Sequence, residues 1–152
     1  MAEGSVERTL VLIKPDGVRR GLVGEILRRF EAKMLKIVAA KFVLVSRELA
    51  TRQYAEHAGK PFYAGLVDHI TSGPVLAVGL EGRSAVSVVR LMTGATNPQT
   101  ATPGTIRGDL GSAITPNLVH ASDSLQTAER ELALYFGPAD FHTYPRTDEP
   151  FA

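Results

Sequence analysis

The chain of 152 residues contains no cysteine. Disulfides, thiolate nucleophiles and zinc–thiolate sites are therefore excluded. Excess charge of one sign is also missing: 17 Lys and Arg face 16 Asp and Glu, a formal net charge of +1. No general basic field draws such a chain to nucleic acid or to an anionic membrane, so any affinity for anions must come from a few local Lys and Arg residues. Long hydrophobic runs are absent too. The longest are strand-sized, far below the ~20 residues a membrane helix needs, and Met1 to Arg8 is polar with no signal-peptide core. These absences fit a cytoplasmic protein. Familiar catalytic motifs are missing as well. There is no G-x-x-x-x-G-K-[ST], since Gly59-Lys60 runs into Pro61, and no G-x-S-x-G, H-E-x-x-H or G-x-G-x-x-G.

What remains is 44% hydrophobic and 22% charged, the balance of a globular protein, at a length that suits one domain over residues 1–152. Thr9 to Ile13 reads as a buried strand ending in a Lys14-Pro15-Asp16-Gly17 turn. Leu22, Ile26, Leu27, Phe30 and Met34 recur at helical spacing, which predicts a helix from Val23 to Leu35. A β-branched strand from Ile37 to Ser46 follows, then two short helices, Glu48 to His57 and Pro61 to Ile70. Val75 to Leu80 is a strand, and Ser84 can cap a helix reaching about Met92. Thr93 to Pro116 is a long loop rich in Gly, Pro, Thr and Asn, a type that is often functional. Asn117 to Val119 forms a fourth strand, and Leu125 to Phe136 a last helix ended by Gly137-Pro138. Polar residues 1–8 and irregular residues 139–152 form the tails. Four short strands interleaved with helices predict a ferredoxin-like α/β sandwich, an antiparallel sheet covered by helices.

The segment Asn117 to Ser124 carries the chemistry. It delivers His120 to a strand-to-helix junction where Ser122, Asp123 and Ser124 can cap the last helix. A helix N-terminus is a ready anion site. An imidazole, which titrates near 6.5 when unperturbed, is nucleophilic at neutral pH, and covalent catalysis through it divides one hard transfer into two easier ones. One ring nitrogen has to be held while the other attacks. Glu129 and Glu131 both flank the apolar stripe of the last helix, and periodicity does not choose between them. Lys14, Arg90 and Arg107 are the cations best placed at element ends and in the long loop; each alone reads as a solvated charge, but phosphoryl transfer needs several together. Tyr54 and Phe62 flank the Ala58-to-Pro61 break, as core or as the wall of a base-binding cleft. His57 and His69 read as incidental.

With Glu7-Arg8-Thr9-Leu10 through Lys14-Pro15-Asp16-Gly17, Lys60-Pro61-Phe62, Ser72-Gly73-Pro74-Val75, Gly94 to Pro98, Pro103 to Asp109 and Asn117 to Ser124, the chain resembles the nucleoside diphosphate kinases over Glu7 to Phe136. The resemblance implies transfer of the γ-phosphate of ATP or another nucleoside triphosphate to a nucleoside diphosphate by a ping-pong route. On this chain it makes His120 the phosphorylated nucleophile, oriented by Ser122 and Glu131. Lys14, Arg90, Thr96 and Arg107 would hold phosphates, and Lys14 and Asn117 would also meet the sugar hydroxyls. Phe62 would stack on the base beside Tyr54, and stacking reads no base edge, so broad base tolerance follows. Mg²⁺ would ride on the nucleotide phosphates, with no protein metal site. A homo-oligomer is implied, a hexamer ahead of a tetramer, with no membrane partner. No specific nucleic-acid partner is expected either, because the aromatic strand pattern of an RNA-binding sheet is missing. Three positions depart from the family pattern. Ala121 stands where glycine is usual, and an ordinary negative φ is expected there. Thr115-Pro116 replaces the usual Gly-Arg, and the tail lacks the tryptophan and closing motif of many long-tailed members.

Overall fold

A computed structural model describes residues 4–151; Met1 to Glu3 and Ala152, the outermost parts of the expected tails, lie outside the described residues. The strands are β1 (Val6–Ile13), β2 (Lys36–Val43), β3 (Val75–Arg83) and β4 (Val119–Ala121). The helices are α1 (Pro15–Arg19), α2 (Val23–Ala32), α3 (Arg47–Gln53), α4 (Tyr63–Ile70), α5 (Ala85–Thr93), α6 (Ile106–Leu110) and α7 (Leu125–Tyr135). The strands pair antiparallel in the order β2-β3-β1-β4, the ferredoxin-like arrangement expected.

Alternation along β1 divides the core. Successive strand residues point to opposite faces of a sheet. Leu10 and Leu12 pack on one face with Ala50, Tyr54, Val67, Leu132 and Tyr135, under α3, α4 and α7. Val11 and Ile13 pack on the other with Ile26, Phe30, Val89 and Ile106, under α2, α5 and α6. Leu10 to Ile13 are fully buried on both faces, which explains why this stretch is an unbroken apolar run.

Several expected boundaries move. β1 begins at Val6, so residues 6–8 belong to the sheet and not to a polar tail. The Lys14-to-Gly17 turn is the entry to α1, with Pro15 at its first position, where a missing N–H costs nothing. α2 stops at Ala32 because Met34 takes a left-handed φ of 69°, and the stretch from Glu48 to His57 divides into α3 and a 3₁₀ turn at Ala55–His57. Ser84 precedes α5 but does not cap it: its own φ is 50°, and the Glu7 carboxylate accepts from the Val86 N–H instead, at 3.2 Å. α6 interrupts the long loop, capped by the Thr105 hydroxyl, which accepts from Gly108 N at 3.0 Å. The C-terminal segment is not free. The His142 N–H donates to Val38 O at 2.9 Å and Arg146 to Leu35 O at 3.1 Å, so it lies across one end of β2.

β4 is displaced by two residues from the expected strand. Leu118 is fully buried with φ 75°, a costly conformation for a branched side chain, and extended backbone starts only after it. Leu118 is pinned from both sides of the peptide: its carbonyl accepts from Lys14 N at 2.8 Å, and its N–H donates to the Asp16 carboxylate at 3.0 Å. His120 then pairs with Leu12 across the sheet. Residues directly opposite share a face, so the imidazole is delivered to the side covered by α3 and α7. Ala121 is extended, as expected, and is not among the left-handed residues. The Thr115–Pro116 peptide bond is cis.

Candidate active site

A cleft of about 460 Å³ opens over the β1–β4 side of the sheet. Every site residue expected from the sequence except Ser122 lines it: Lys14, Tyr54, Phe62, Arg90, Thr96, Arg107, Asn117, His120 and Glu131. Ser122 is buried directly behind His120 and Glu131.

The centre of the cleft is an imidazole held by a carboxylate. His120 Nε2 lies 3.0 Å from both Oε1 and Oε2 of Glu131. Ser122 Oγ donates to Oε1 at 2.6 Å. Glu131 sits on the inner stripe of α7 with Ala128, Leu132 and Tyr135, at 1% exposure. Glu129 is exposed on the other side of the helix, so the geometry separates two residues that periodicity left equal. Burial pushes the Glu131 carboxyl up, but the hydrogen bond and charge of His120, with Ser122 and Arg130, outweigh it and hold it below the usual range. With Nε2 engaged, Nδ1 is the imidazole nitrogen left for the cleft.

Cations gather around this pair. Lys14 is 6% exposed, and its Nζ donates to Asn117 Oδ1 at 2.8 Å. Burial first, then the Arg107 charge, pushes Lys14 down to about 8, against a smaller upward pull from Asp16. Arg107 donates to three backbone carbonyls: Asn117 O at 3.2 Å, Gly94 O at 2.9 Å and Val119 O at 2.7 Å. Burial and then Arg90 push Arg107 down to about 10, which leaves a guanidinium charged at neutral pH. Arg90 reaches Ala121 O at 3.2 Å from α5, and the Thr96 carbonyl accepts from Asn117 Nδ2 at 3.0 Å. Buried positive charge only partly offset by Asp16 favours an anion in the cleft.

The other end of the cleft is apolar. Phe62 is 51% exposed, and Ile114 is 56% exposed; both line the opening. Phe62 is therefore wall and not core. Tyr54 is both: 4% exposed, with its ring edge-on to His120 at 6.2 Å between centroids. Burial, and then the Glu131 charge, push its phenol far above the usual range, so it stays neutral.

Some residues of the cleft were not foreseen. His57, read as incidental, lines it with its ring 5.4 Å from Phe62, whereas His69, read the same way, lies outside the cleft and binds Asp16 through Nε2 at 3.0 Å. Gln53 places its amide against both His120 and Glu131. Ile114 carried only a weak signal, since the same long loop also holds Ile106 and Leu110. Gln53 carried none, since a glutamine on a helix is ordinary.

The family profile described as nucleoside diphosphate kinase matches residues 7–141. The chain belongs to the nucleoside diphosphate kinase family. A nucleoside diphosphate kinase of Archaeoglobus fulgidus is 56% identical over 144 residues, 95% of each chain. One from Thermus thermophilus is 58% identical over 135 residues, 89% of this chain and 98% of the other. Among solved structures, the halophilic nucleoside diphosphate kinase of Halobacterium salinarum in complex with CDP superposes with a TM-score of 0.94 at 48% identity, covering 97% of this chain and 98% of that one. A transition-state mimic of the Borrelia burgdorferi nucleoside diphosphate kinase with bound vanadate and ADP gives 0.90 at 36% identity over 95% of each chain. The chain is thus an enzyme of phosphoryl transfer between nucleotides, of a family that uses a divalent metal.

Proposed function

We propose that His120 carries the phosphoryl group between nucleoside triphosphate and diphosphate, with Glu131 and Ser122 orienting it. The observation that supports this best is the position of His120: Nε2 is anchored on a buried carboxylate, and the ring stands in a cleft lined by Lys14, Arg90 and Arg107. In the first half-reaction the Nδ1 lone pair attacks the γ-phosphorus. The bond to the bridging oxygen breaks, and the diphosphate leaves with that electron pair. The positive charge gained by the ring is stabilised by Glu131 through Nε2–H. In the second half-reaction a terminal oxygen of another diphosphate attacks the phosphorus and the Nδ1 bond breaks. Lys14, Arg90, Thr96 and Arg107 hold the phosphates, where charge stabilisation is most of the catalysis. Lys14 and Asn117 also meet the sugar. Phe62 stacks on the base beside Tyr54, and a stacking contact reads no base edge.

Mg²⁺ is the metal we assign. Among the described residues no group of three or more His, Asp or Glu side chains could hold an ion. Apart from Glu131, the carboxylates of the cleft are Glu56 and Asp123, so the fit is to a cation held mainly by nucleotide phosphates, as suits Mg²⁺. When bound, it neutralises charge on the phosphate oxygens.

Residues 1–152 form one catalytic unit, and the chain assembles as a homohexamer in the cytoplasm. Exposed Phe42 and Leu44 on and beside the edge strand β2, at 63% and 74%, support self-association. Among the described residues no helix is long and apolar enough to cross a membrane. Light scattering over a range of concentrations reads the assembly; a monomer or a tetramer counts against the hexamer.

Incubation with γ-labelled ATP and Mg²⁺ tests the chemistry. The expected product is an acid-labile, base-stable phosphoenzyme that CDP or GDP discharges. Unlabelled wild type, or unchanged labelling of His120→Ala, would sink the reading.

A further inference from the structure

Gln53 ends α3, is 1% exposed, and stands between the two residues at the centre of the cleft. Its Nε2 donates to Glu131 Oε2 at 2.6 Å and lies 3.1 Å from His120 Nε2. The orientation of the amide is fixed by chemistry. The reverse orientation would set its oxygen against a carboxylate oxygen, acceptor to acceptor. With Nε2 inward, Gln53 and His120 are two donors converging on one carboxylate, and neither donates to the other.

The result is symmetric. Ser122 holds Oε1 at 2.6 Å, Gln53 holds Oε2 at 2.6 Å, and His120 Nε2 sits 3.0 Å from each. Without Gln53 the carboxylate has a strong neutral donor on one oxygen alone and is free to turn about its terminal torsion, which is intrinsically broad. The orientation of the imidazole follows that of the carboxylate. The arrangement also has a cost to the fold: Gln53 Oε1 is buried with no hydrogen-bond partner among the described residues. An apolar side chain of similar length would fill the site without that penalty. A buried amide with one satisfied end is accounted for by what the satisfied end does.

We propose that Gln53 is a positioning residue for phosphoryl transfer, holding Glu131 Oε2 so that the carboxylate stays centred on His120 Nε2. The inference rests on the reading of His120 as nucleophile and Glu131 as its support. Gln53 is not among the residues that line the cleft and acts through Glu131, so KM should stay near the wild-type value while the phosphorylation rate falls.

Two variants test it, Gln53→Leu and Gln53→Glu, each compared with wild type by quench-flow labelling from γ-labelled ATP and by steady-state kinetics between about pH 5 and 9. Removing one hydrogen bond to a charged group should lower the Gln53→Leu phosphorylation rate about tenfold or more with KM little changed. Gln53→Glu keeps size and shape. While the new carboxyl is protonated its O–H can replace the amide as donor to Oε2; once ionised it opposes Glu131, and close carboxylates titrate far apart. Its rate relative to wild type should therefore be highest at low pH and fall about tenfold or more as pH rises. A Gln53→Glu rate lowered by the same factor at every pH would mark a packing role and overturn the proposal, as would a Gln53→Leu rate equal to wild type. Failure of either variant to fold, read by circular dichroism, leaves the other to decide. Wild type that takes no label on His120 overturns the underlying reading instead, a result distinct from labelled wild type with indifferent variants.

Discussion

Lys14 and Asn117, 103 positions apart, are joined by a 2.8 Å hydrogen bond from Nζ to Oδ1 in the floor of the cleft. The bond ties the end of β1 to the approach to β4, and it holds a lysine in a place where lysine is unfavourable. Burial and Arg107 push its pKa from 10.5 to about 8. The folded protein without nucleotide therefore binds that proton less tightly than the unfolded chain does. The stability penalty is complete below about pH 8 and is relieved as pH rises towards 10.5. Lys14→Met should accordingly stabilise the nucleotide-free protein at pH 7 by about 1–3 kcal/mol while abolishing most activity. The gain should shrink between pH 8 and 10. Urea unfolding at several pH values measures it.

Phosphate binding reverses this imbalance. An anion beside Lys14 raises its pKa, so binding takes up a proton where the free enzyme has already lost it. Affinity for a nucleoside diphosphate should be nearly flat between about pH 7, where the terminal phosphate is ionised, and about pH 8, and should weaken above that, by up to about tenfold per pH unit. Calorimetry in buffers of different ionisation enthalpy reads the proton uptake directly.

Glu131→Gln keeps the shape of the carboxylate and removes its charge. The rate of His120 phosphorylation should fall about 100-fold with KM little changed. Acid stability should change as well. The depressed carboxyl of Glu131 contributes stability that is present above its unfolded value near 4.5 and lost as pH falls through the folded one. Wild type should lose stability on acidification below about pH 4.5 more steeply than the variant, which acid titration followed by circular dichroism will show.

Phe62→Ala should weaken every nucleotide by about 1–3 kcal/mol without changing base preference. Phe62 is half exposed, so unfolding free energy should shift by no more than about 0.5 kcal/mol. A reordering of ATP, GTP, CTP and UTP in competition assays would show that the base edge is read.

Ala121→Gly should destabilise the protein by about 0.5–1 kcal/mol, because Ala121 lies in an extended strand where glycine adds only entropy to the unfolded chain. Thermal unfolding measures the shift. Stabilisation would mean that alanine is strained there.

The elements and the α/β class were largely legible in the sequence, because apolar runs and helical stripes are periodic and long, whereas strand order is not periodic and the gathering of the cleft residues was implied only by the family resemblance. What else stayed hidden was local. The shift of β4 follows from the left-handed Leu118, and a leucine gives no sign that it will adopt such a backbone. α6 is five residues long, too short to show a period. Glu129 and Glu131 flank a stripe that includes Leu125, and Leu125 turns out to be 48% exposed; the true inner stripe is rotated towards Glu131. Gln53 could be found only once α3 was seen to dock beside α7.

Arg107 gives up three of its five N–H donors to the backbone of Gly94, Asn117 and Val119. The same guanidinium that we propose holds a phosphate is thus the rivet of the backbone beside Thr96 and Asn117. Its substitution confounds two losses, one of charge and one of scaffold, and turnover alone cannot apportion them. Lysine could restore the charge at that place but not three bonds fanned in a plane.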